Sequence, residues 1–377
     1  MDHPKNIFAS VLIKAIPANT NLTKEDIEGS ISYCDPSFGE FATNIVFRMA
    51  KSEHKNPAEI AEGIVANLNK EKSIKNAEFL PPGFINVSLD GQIWVDFLAS
   101  INSSFGQSKL GEGRSMQIEF ISANPTGPLV LTNAWQGYYG DILSSIYASQ
   151  GFRVEREYYL NDGGNQVGSL GKAIQQSLGV EFEPEVSENL YRGEYIDNVA
   201  EAIAVAYGSR DKVKQGNPTE IGKKAAEIIV QDYINPDLDR LGVKFDTMYS
   251  ETKPDIQKVL NRLNEAGLSK QKDGAVWLDG AKVGLKQDEV LVRSYDNEYT
   301  YFLKDIAYQL ERLEERGFDS TITIVGPDHH GQAIRLINAL KVLGHHGFSE
   351  ISTQTIRLIK DGKEFKMSKR KGNYILL

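Results

Sequence analysis

The first hundred residues combine two spacings of hydrophobic positions. Apolar side chains recur at helical spacing in residues 7–12 and again in residues 57–68. Residues 84–89 alternate apolar and polar side chains, which is the pattern of a strand with one buried face. A glycine-rich, charged segment at residues 106–114 then interrupts both patterns. We therefore predict a small α+β domain over residues 1–110.

From Met116 the spacing changes to strand, turn, helix, strand. Residues 116–121 alternate like a strand, residues 134–150 carry apolar side chains on one helical face, and residues 152–159 read as a second strand. This order predicts a βαβ unit that opens a parallel sheet. In such a sheet the first turn and the N-terminus of the helix lie at the ligand-binding edge.

The remaining chain reads as a long helical stretch followed by a return of the sheet. Residues 166–268 are mostly helical in pattern and rich in Glu and Ala, and residues 320–325, 332–343 and 353–358 read as strand, helix and strand. We predict an α/β protein in which residues 111–377 form a Rossmann-like parallel-sheet domain. Its helical insertion covers about residues 166–268, and the small α+β domain precedes it.

The composition is that of a globular protein, since 41% of the 377 residues are hydrophobic and 25% are charged. No run approaches about 18 consecutive apolar residues, and the first residues lack the apolar core of a signal peptide. We therefore predict a cytoplasmic protein with no membrane partner.

Cys34 is the only cysteine, which excludes an intrachain disulfide and a cysteine-rich zinc site. His329-His330 and His345-His346 lack the i, i+4 spacing of a helical zinc site, and we expect no metal held by the protein alone.

The net charge of -9 argues against sequence-blind nucleic-acid binding, which relies on a basic face to neutralise phosphates. A local basic run is still present at residues 366–371, with the sequence Lys-Met-Ser-Lys-Arg-Lys. Taken alone, such a run is more often a solvated charged loop than a binding site.

The turn inside the βαβ unit is rich in proline and glycine. Residues 124–137 read NPTGPLVLTNAWQG, and no His, Lys or Arg occurs between Met116 and Gly151 to meet a phosphate. A nucleotide-binding turn and a plain connection between a strand and a helix both fit this segment. By itself the plain connection is the commoner meaning.

Residues 124–129 and 366–370 together resemble the two signatures of class I aminoacyl-tRNA synthetases, which close on ATP from opposite halves of the fold. Further segments narrow the resemblance to the arginyl-tRNA synthetase family. These segments, which run over nearly the whole chain, are residues 38–44 (FGEFATN), 82–86 (PGFIN), 119–129 (EFISANPTGPL), 157–166 (EYYLNDGGNQ), 273–278 (DGAVWL) and 300–307 (TYFLKDIA).

The resemblance implies a pocket for the side chain of arginine. Asp305, assisted by Glu119, would pair with the planar guanidinium, and Tyr301 would stack on its flat face. Ser122 and Asn124 would serve the α-amino and carboxylate ends of the substrate. Tyr301 and Asp305 are four residues apart and share one face of a helix. Without the surrounding motifs, this spacing would more often mean a capping or surface Asp beside a core Tyr.

The resemblance also implies an ATP site and its catalytic groups. The catalytic positions are Asn133, Lys366, Ser368 and Lys369, with the two lysines facing the charge of the leaving pyrophosphate and with Mg²⁺ accompanying ATP. The positions that line the ATP site are Gly127, Pro128, Thr132, Asn133, Gly326, Asp328, His329, His330 and Met367. The implied reaction joins L-arginine to tRNA(Arg) through an arginyl-adenylate, and the family needs tRNA for the activation step.

Two sets of polar residues each have two alternative roles. The histidines of residues 326–331 either line the adenosine end of the ATP site or cap the helix that follows. Asn161, Asp162 and Gln166 either contact the substrate or hold a turn through their own hydrogen bonds.

The first signature departs from the family pattern. Family members carry His-x-Gly-His after Gly-Pro-Leu, whereas residues 130–133 read Val-Leu-Thr-Asn. Val130 has no side-chain donor, and the loss of one preorganised donor typically costs about 2.7–4 kcal/mol of transition-state stabilisation. Asn133 keeps an amide donor, while Thr132 either crowds the adenine or caps the helix.

The second departure is that the sequence stops at Leu377, where the family continues into a helical anticodon-binding domain. With residues 1–110 as its tRNA-contacting domain, the chain alone is expected to bind tRNA weakly and to be a monomer.

Two hypotheses follow: an arginine–tRNA ligase with a variant first signature, or a non-catalytic module that binds arginine, ATP or tRNA. The intact arginine motif and basic loop favour the first hypothesis, and the missing histidines favour the second.

Overall fold

The computed structural model describes residues 3–18, 20–326, 333–354, 356–360, 362–365, 375 and 377. The chain divides into two compact units, Met1–Phe105 and Gly106–Leu377. No helix in the part of the chain that the structure describes is long and apolar enough to cross a membrane.

The first unit packs helices against a four-stranded antiparallel sheet of order β1-β2-β4-β3. Its elements are α1 Pro4–Ala15, α2 Lys24–Glu28, β1 Ile31–Tyr33, β2 Phe41–Thr43, α3 Ile45–Glu53, α4 Pro57–Leu68, β3 Ile74–Leu80, β4 Phe84–Leu89 and α5 Gly91–Ser100. The predicted helix at residues 57–68 and the predicted strand at residues 84–89 are confirmed. Helix α4 starts where expected because Pro57 occupies its first turn and the Asn56 side chain accepts a hydrogen bond from Ala58 N at 3.0 Å.

The second unit contains the predicted parallel sheet. Its elements are β5 Ser115–Glu119, α6 Leu131–Ser149, β6 Arg153–Leu160, α7 Gly164–Ser177, α8 Pro184–Ser187, α9 Glu194–Tyr207, α10 Arg210–Gln215, α11 Pro218–Ile229, α12 Asn235–Leu241, β7 Thr247–Ser250, α13 Ile256–Glu265, β8 Ser269–Lys272, β9 Ala275–Leu278, β10 Glu289–Val292, α14 Tyr301–Leu310, β11 Ser320–Val325, α15 Ala333–Val342, β12 Phe348–Ser352, β13 Leu358–Lys360 and β14 Lys363–Phe365. Two π-helical turns, Val230–Ile234 and Glu311–Glu315, extend α11 and α14.

The sheet has five parallel strands in the order β12-β11-β5-β6-β7. A small antiparallel sheet of order β10-β9-β8 and a hairpin of β13 and β14 lie in the same unit.

The predicted strand at residues 353–358 is wrong, because the strand that pairs with β11 is Phe348–Ser352. Both segments mix polar and apolar residues without a regular period, so only the pairing decides between them. The stretch predicted to be mostly helical, residues 166–268, also supplies the edge strand Thr247–Ser250.

The two faces of this sheet differ in chemistry. One face carries Met116, Ile118 and Ile322, which are buried in the hydrophobic core formed with the insertion helices. The opposite face carries Gln117 and Thr321, which are buried although they are polar. Side chains at paired positions of neighbouring parallel strands lie on the same side of the sheet. One polar row therefore crosses all five strands, and its members in order are Glu350, Thr323, Glu119, Glu157 and Thr247.

Helices α7 and α11 of the insertion approach each other until their backbones touch. A Cβ atom at Gly171 would lie 1.7 Å from the carbonyl oxygen of Pro218, so no other residue fits at this position without moving a helix. This contact fixes α11 beside the turn that follows β6.

Candidate active site

The chain leaves β5 through a sharp turn directly after Glu119. Ile121 and Ser122 both adopt left-handed backbone conformations, with φ of 65° and 42°. Such conformations cost about 1–3 kcal/mol for residues other than glycine and tend to occur at ligand sites. The Ser122 hydroxyl donates to Glu119 Oε1 at 3.0 Å and accepts from Tyr159 N at 3.1 Å. The turn thus folds back on the carboxylate that precedes it.

The Pro-Thr-Gly-Pro turn is buried and is held by tyrosines from other elements. Tyr158 Oη donates to the Ala123 carbonyl at 2.8 Å, and Tyr195 Oη donates to the Thr126 carbonyl at 2.8 Å. A Cβ atom at Gly127 would lie 2.9 Å from Tyr195 Oη, so the turn requires glycine at this position.

Helix α6 begins at Leu131, with Val130 at the N-cap position. The expectation that Thr132 caps this helix is therefore wrong, because Thr132 already lies inside the first turn. The capping hydrogen bond instead runs from Val130 N to Asn133 Oδ1 at 2.9 Å. The amide oxygen of Asn133 is engaged in this bond, and its Nδ2 group is the part of the side chain that remains to donate to a ligand.

Asp305 lies on α14, one turn after Tyr301. Helix α14 begins after Thr300, whose hydroxyl accepts from Leu303 N at 3.4 Å. Tyr301 is 65% exposed, and Lys304 Nζ lies 5.6 Å from the centre of its ring. One face of the Tyr301 ring therefore already attracts a cation.

The Asp305 carboxylate is partly buried and makes no hydrogen bond or ion pair with any residue that the structure describes. Burial raises the pKa of Asp305 to about 7, with further raising by the charges of Glu119 and Glu350. Arg335 and Lys304 oppose this rise in the pKa. A buried carboxylate that faces other carboxylates in this way is poised to receive a cation.

Glu119 is buried, and its oxygens already have partners inside the protein. Oε1 accepts from the Ser122 hydroxyl, while Oε2 accepts from the Thr323 hydroxyl at 3.0 Å and lies 3.5 Å from Arg312 Nη1. Burial raises the pKa of Glu119, with a further rise from Glu157, while Arg312 and the two hydroxyls lower it. The two carboxylates predicted for the arginine pocket therefore differ. Among the described residues, Glu119 has hydrogen-bond and ion-pair partners, whereas Asp305 has none.

The two predicted halves of the ATP site are close where the structure describes them. Gly326, at the end of β11, lies beside α6, since a Cβ atom there would be 3.9 Å from Gln136 Nε2. Leu377 N donates to the Leu129 carbonyl at 3.4 Å, next to the first signature. The predicted site residues Asp328, His329, His330, Lys366, Met367, Ser368 and Lys369 lie outside the described residues.

A cavity of about 610 Å³ opens beside the turn. Pro125, Leu160 and Asp162 line one side, and α11 lines the other with residues that include Lys223 and Glu227. Asp162 accepts a hydrogen bond from the Ser250 hydroxyl at 2.7 Å, which agrees with a turn-holding role for that residue. Sequence reasoning missed the contribution of α11, because no motif marks the insertion helices.

Fold and site together are those of a class I aminoacyl-tRNA synthetase: residues 97–377 match the family model described as "tRNA synthetases class I (R), catalytic domain". Residues 2–89 match the model described as "Arginyl tRNA synthetase N terminal domain". The chain belongs to the arginyl-tRNA synthetase family, which confirms the resemblance that its motifs indicate.

Individual relatives agree with this assignment. The chain is 38% identical over 361 residues to the arginine–tRNA ligase of Listeria monocytogenes, and 36% identical over 362 residues to that of Bacillus subtilis. Each match covers 91% of this chain and 64% of the relative, so the chain spans about two thirds or slightly less of the length of these proteins. The arginyl-tRNA synthetase structure from Plasmodium falciparum shares the fold, with a TM-score of 0.66 at 17% identity over 93% of this chain and 64% of that chain.

Proposed function

We propose that this chain carries the catalytic core for ATP-dependent ligation of L-arginine to tRNA(Arg). Asp305, Glu119 and Tyr301 bind the guanidinium of the substrate. The observation that carries this proposal is the Asp305 carboxylate, which is partly buried, lacks a partner among the described residues and lies near Glu119 and Glu350. A guanidinium placed against Asp305 relieves the repulsion among these acids.

The geometry favours a guanidinium over an ammonium group. Two carboxylates that approach from a helix and from a strand suit a flat, forked cation with several N–H donors, whereas lysine offers a single point charge. The exposed ring of Tyr301, one helical turn from Asp305, supplies a face on which a planar cation can stack. Substrate arginine would displace Lys304 from that ring face.

The α-amino and carboxylate groups of the substrate are assigned to Ser122 and Asn124 in this proposal. The Ser122 hydroxyl uses its donor toward Glu119 and one acceptor site toward Tyr159 N, which leaves one acceptor site. That site can accept from an ammonium group. Asn124 is partly buried two residues further along the same turn and can donate to the substrate carboxylate.

In the activation step, an oxygen of the arginine carboxylate attacks the α-phosphorus of ATP, and the bond to pyrophosphate breaks. The protein's task in such a step is to position the reactants and to stabilise developing charge. Asn133 Nδ2 and the backbone N–H groups at the start of α6 are the donors assigned to the phosphates on this side. Lys366 and Lys369, with Mg²⁺ bound to ATP, are assigned to the leaving pyrophosphate.

The remaining assignments concern the rest of ATP and the tRNA. Gly127, Pro128 and Thr132 line the nucleotide at the first turn, and Gly326, Asp328, His329, His330 and Met367 line it from the second half of the domain. After activation, the arginyl group passes to the terminal ribose of the tRNA, and the first unit contacts the body of the tRNA.

The test is pyrophosphate exchange into ATP, measured with L-arginine, Mg²⁺ and tRNA and compared with the same mixture without arginine. We expect arginine-dependent exchange above the blank. Protein that is folded by circular dichroism and still gives no exchange would contradict the catalytic proposal.

A non-catalytic arginine-binding module is the second candidate, and the variant first signature favours it. The Val130 side chain has no hydrogen-bond donor, and the Asn133 amide oxygen already accepts the capping hydrogen bond from Val130 N at the start of α6. Calorimetry separates the two functions. Arginine binding without exchange identifies the module, whereas binding with exchange identifies the ligase.

A further inference from the structure

Arg312 is the largest side chain that is fully buried in the described part of the protein. It lies in the π-helical turn Glu311–Glu315, which directly continues α14. The turn is closed by the hydrogen bond from Arg316 N to the Glu311 carbonyl at 2.9 Å. Because a π-helical turn holds one residue more than an α-helical turn, it changes the direction of the side chains that follow the pocket helix. Arg312 thereby points at the polar face of the sheet.

All three nitrogens of the Arg312 guanidinium have partners on that face. Nε donates to Gln117 Oε1, and Nη2 donates to the Gln117 and Ile322 carbonyls at 3.4 and 3.2 Å. Nη1 donates to Gln309 Oε1 at 3.2 Å and to the Thr323 hydroxyl at 3.0 Å. Within the described residues, Glu119 is the carboxylate that lies within ion-pair distance, 3.5 Å from Nη1. These hydrogen bonds fix the position of the Arg312 guanidinium. Its ion-pair partner among the described residues is one carboxylate, that of Glu119.

The Thr323 hydroxyl bridges the two charged groups. It accepts from Arg312 Nη1 and donates to Glu119 Oε2, with both distances 3.0 Å. Glu119 Oε2 is thus turned toward the interior, and the rest of the carboxylate is left beside Ser122 and the substrate turn. Arg316 performs a separate task, because it pairs with Glu157 at 2.6 Å and with Glu155.

We propose that Arg312 is a positioning residue for substrate recognition: it orients Glu119 and opposes its protonation, directly and through Thr323, so that Asp305 remains the pocket carboxylate without a partner among the described residues. This inference rests on the proposed function. A pocket organised in this way accepts one cation. Without Arg312, the pKa of Glu119 would rise further, and its carboxylate would lose the ion pair and the bridged hydrogen bond that orient it.

The groups that face the two carboxylates come from several elements. Those that face Glu119 are Arg312, Asp305 and Tyr308 from α14 and its extension, and Glu157 and Tyr159 from β6. Those that face Asp305 are Glu119, Glu350, Arg335, Lys304 and Tyr159. Among them, Arg312 is the cation that lowers the pKa of Glu119, so its removal acts on Glu119 before it acts on Asp305.

The test is isothermal calorimetry of L-arginine binding, from about pH 6 to about pH 9, in two buffers of different ionisation enthalpy, which yields the number of protons released. For the unaltered chain we expect release of up to about one proton per arginine near neutral pH, from Asp305. Arg312→Gln should release more protons per arginine than the unaltered chain and should move the midpoint of binding to higher pH. Arg312→Lys keeps the charge and should keep the midpoint, although the forked hydrogen bonds are lost.

Arg316→Gln is the matched control, since it removes a neighbouring, partly buried arginine that pairs with Glu155 and Glu157 and not with Glu119. It should move the pH midpoint of arginine binding less than Arg312→Gln does, because it acts on Glu119 only through Glu157. If Arg312→Gln does not fold, Thr323→Val replaces it, because the valine removes the bridging hydroxyl at nearly constant volume. Its midpoint should move in the same direction by a smaller amount.

The outcomes separate the two proposals. An unaltered, folded chain that binds no arginine overturns the proposed function and this inference together. A chain that binds arginine, whose Arg312→Gln and Thr323→Val variants keep the original midpoint and proton number, overturns the inference alone. A loss of affinity without a change in proton number would mean that Arg312 has only a structural role.

Discussion

Tyr195 Oη donates a hydrogen bond to the Thr126 carbonyl and lies where a side chain at Gly127 would have to be. The insertion helix α9 therefore supports the Pro-Thr-Gly-Pro turn from behind. Because the turn precedes the phosphate-binding end of α6 in the proposed function, its position matters for catalysis as well as for folding.

Gly127→Ala should displace the Tyr195 ring and disturb the turn. We expect the rate of arginine-dependent pyrophosphate exchange to fall by at least about tenfold, since small displacements of a catalytic turn have effects of this size or larger. The double variant Gly127→Ala with Tyr195→Phe removes the clashing oxygen and should recover part of the rate. If the double variant is no better than Gly127→Ala, the contact with Tyr195 is not the reason for the loss.

Asp305→Asn should abolish detectable arginine binding and yet stabilise the fold at alkaline pH. The pKa of Asp305 is raised from 3.8 to about 7, so the folded protein holds a proton that the unfolded chain has lost between these values. Stability therefore falls as pH rises through this window and stays low above it. At about pH 8 the asparagine variant should be more stable by roughly 1–3 kcal/mol, and at about pH 4 the difference should vanish. Urea denaturation at the two pH values measures this.

Asp319→Asn is the opposite control for that experiment. Asp319 accepts from Ser115 N at 2.7 Å and from the Ser115 hydroxyl at 2.9 Å, which lowers the pKa of this carboxyl. Its stabilising contribution is present above its unfolded-state pKa and is lost as pH falls through the folded-state pKa. The variant should be less stable at neutral pH with unchanged arginine binding. If both variants shift stability in the same direction at about pH 8, the assignment of the Asp305 pKa is wrong.

Val130→His should increase the rate of arginine activation. A donor at the N-cap position of α6 supplies the hydrogen bond that valine lacks, and one preorganised donor typically changes a rate by about a hundredfold to a thousandfold. Single-turnover formation of arginyl-adenylate measures the chemical step without product release. An unchanged rate would show that Asn133 and the backbone N–H groups of the variant turn suffice without a donor at position 130.

Gly171→Ala and Gly168→Ala form a matched pair on α7. A Cβ atom at Gly171 would lie 1.7 Å from the Pro218 carbonyl oxygen, whereas one at Gly168 would be 3.7 Å from its nearest neighbour, Thr219 Oγ1. The first variant should destabilise the protein by about 2 kcal/mol or more through overpacking, and the second should stabilise it by roughly 0.5–1 kcal/mol through helix propensity. Thermal unfolding of both variants checks the close approach of α7 and α11.

The sequence predicts the framework of the catalytic unit better than the chemistry of its interior. The strand at residues 116–121 was predicted from alternation, which indicates one buried and one solvated face, and the structure has Ser115–Glu119 as a strand. Gln117 and Glu119 look like the solvated half of that pattern, but both are buried. Both side chains contact Arg312, which is 195 residues from Gln117 in sequence. No local pattern reports such a partner.

The site residues divide in the same way, because those in a recognisable motif are predicted from the sequence and those without a motif are not. Glu119, Ser122 and Asp305 are found because they lie in segments that resemble a family motif, and the structure brings Glu119 close to both of the others. Arg312 and Thr323 carry no motif, so only the three-dimensional contacts identify them. The N-cap of α6 was also missed, because Thr132 is a good capping residue by type while the chain enters the helix two positions earlier.

The polar row from Glu350 to Thr247 places the carboxylates of Glu119 and Glu157 on adjacent strands of the sheet, where Arg312 and Arg316 pair with them. In the proposed function, replacing Glu119 to suit a neutral amino acid would leave the buried Arg312 without its carboxylate partner. A buried charge that loses its partner typically destabilises a protein by about 3–5 kcal/mol. Under the proposed function, such a change at Glu119 would therefore reduce folding stability as well as affinity for arginine.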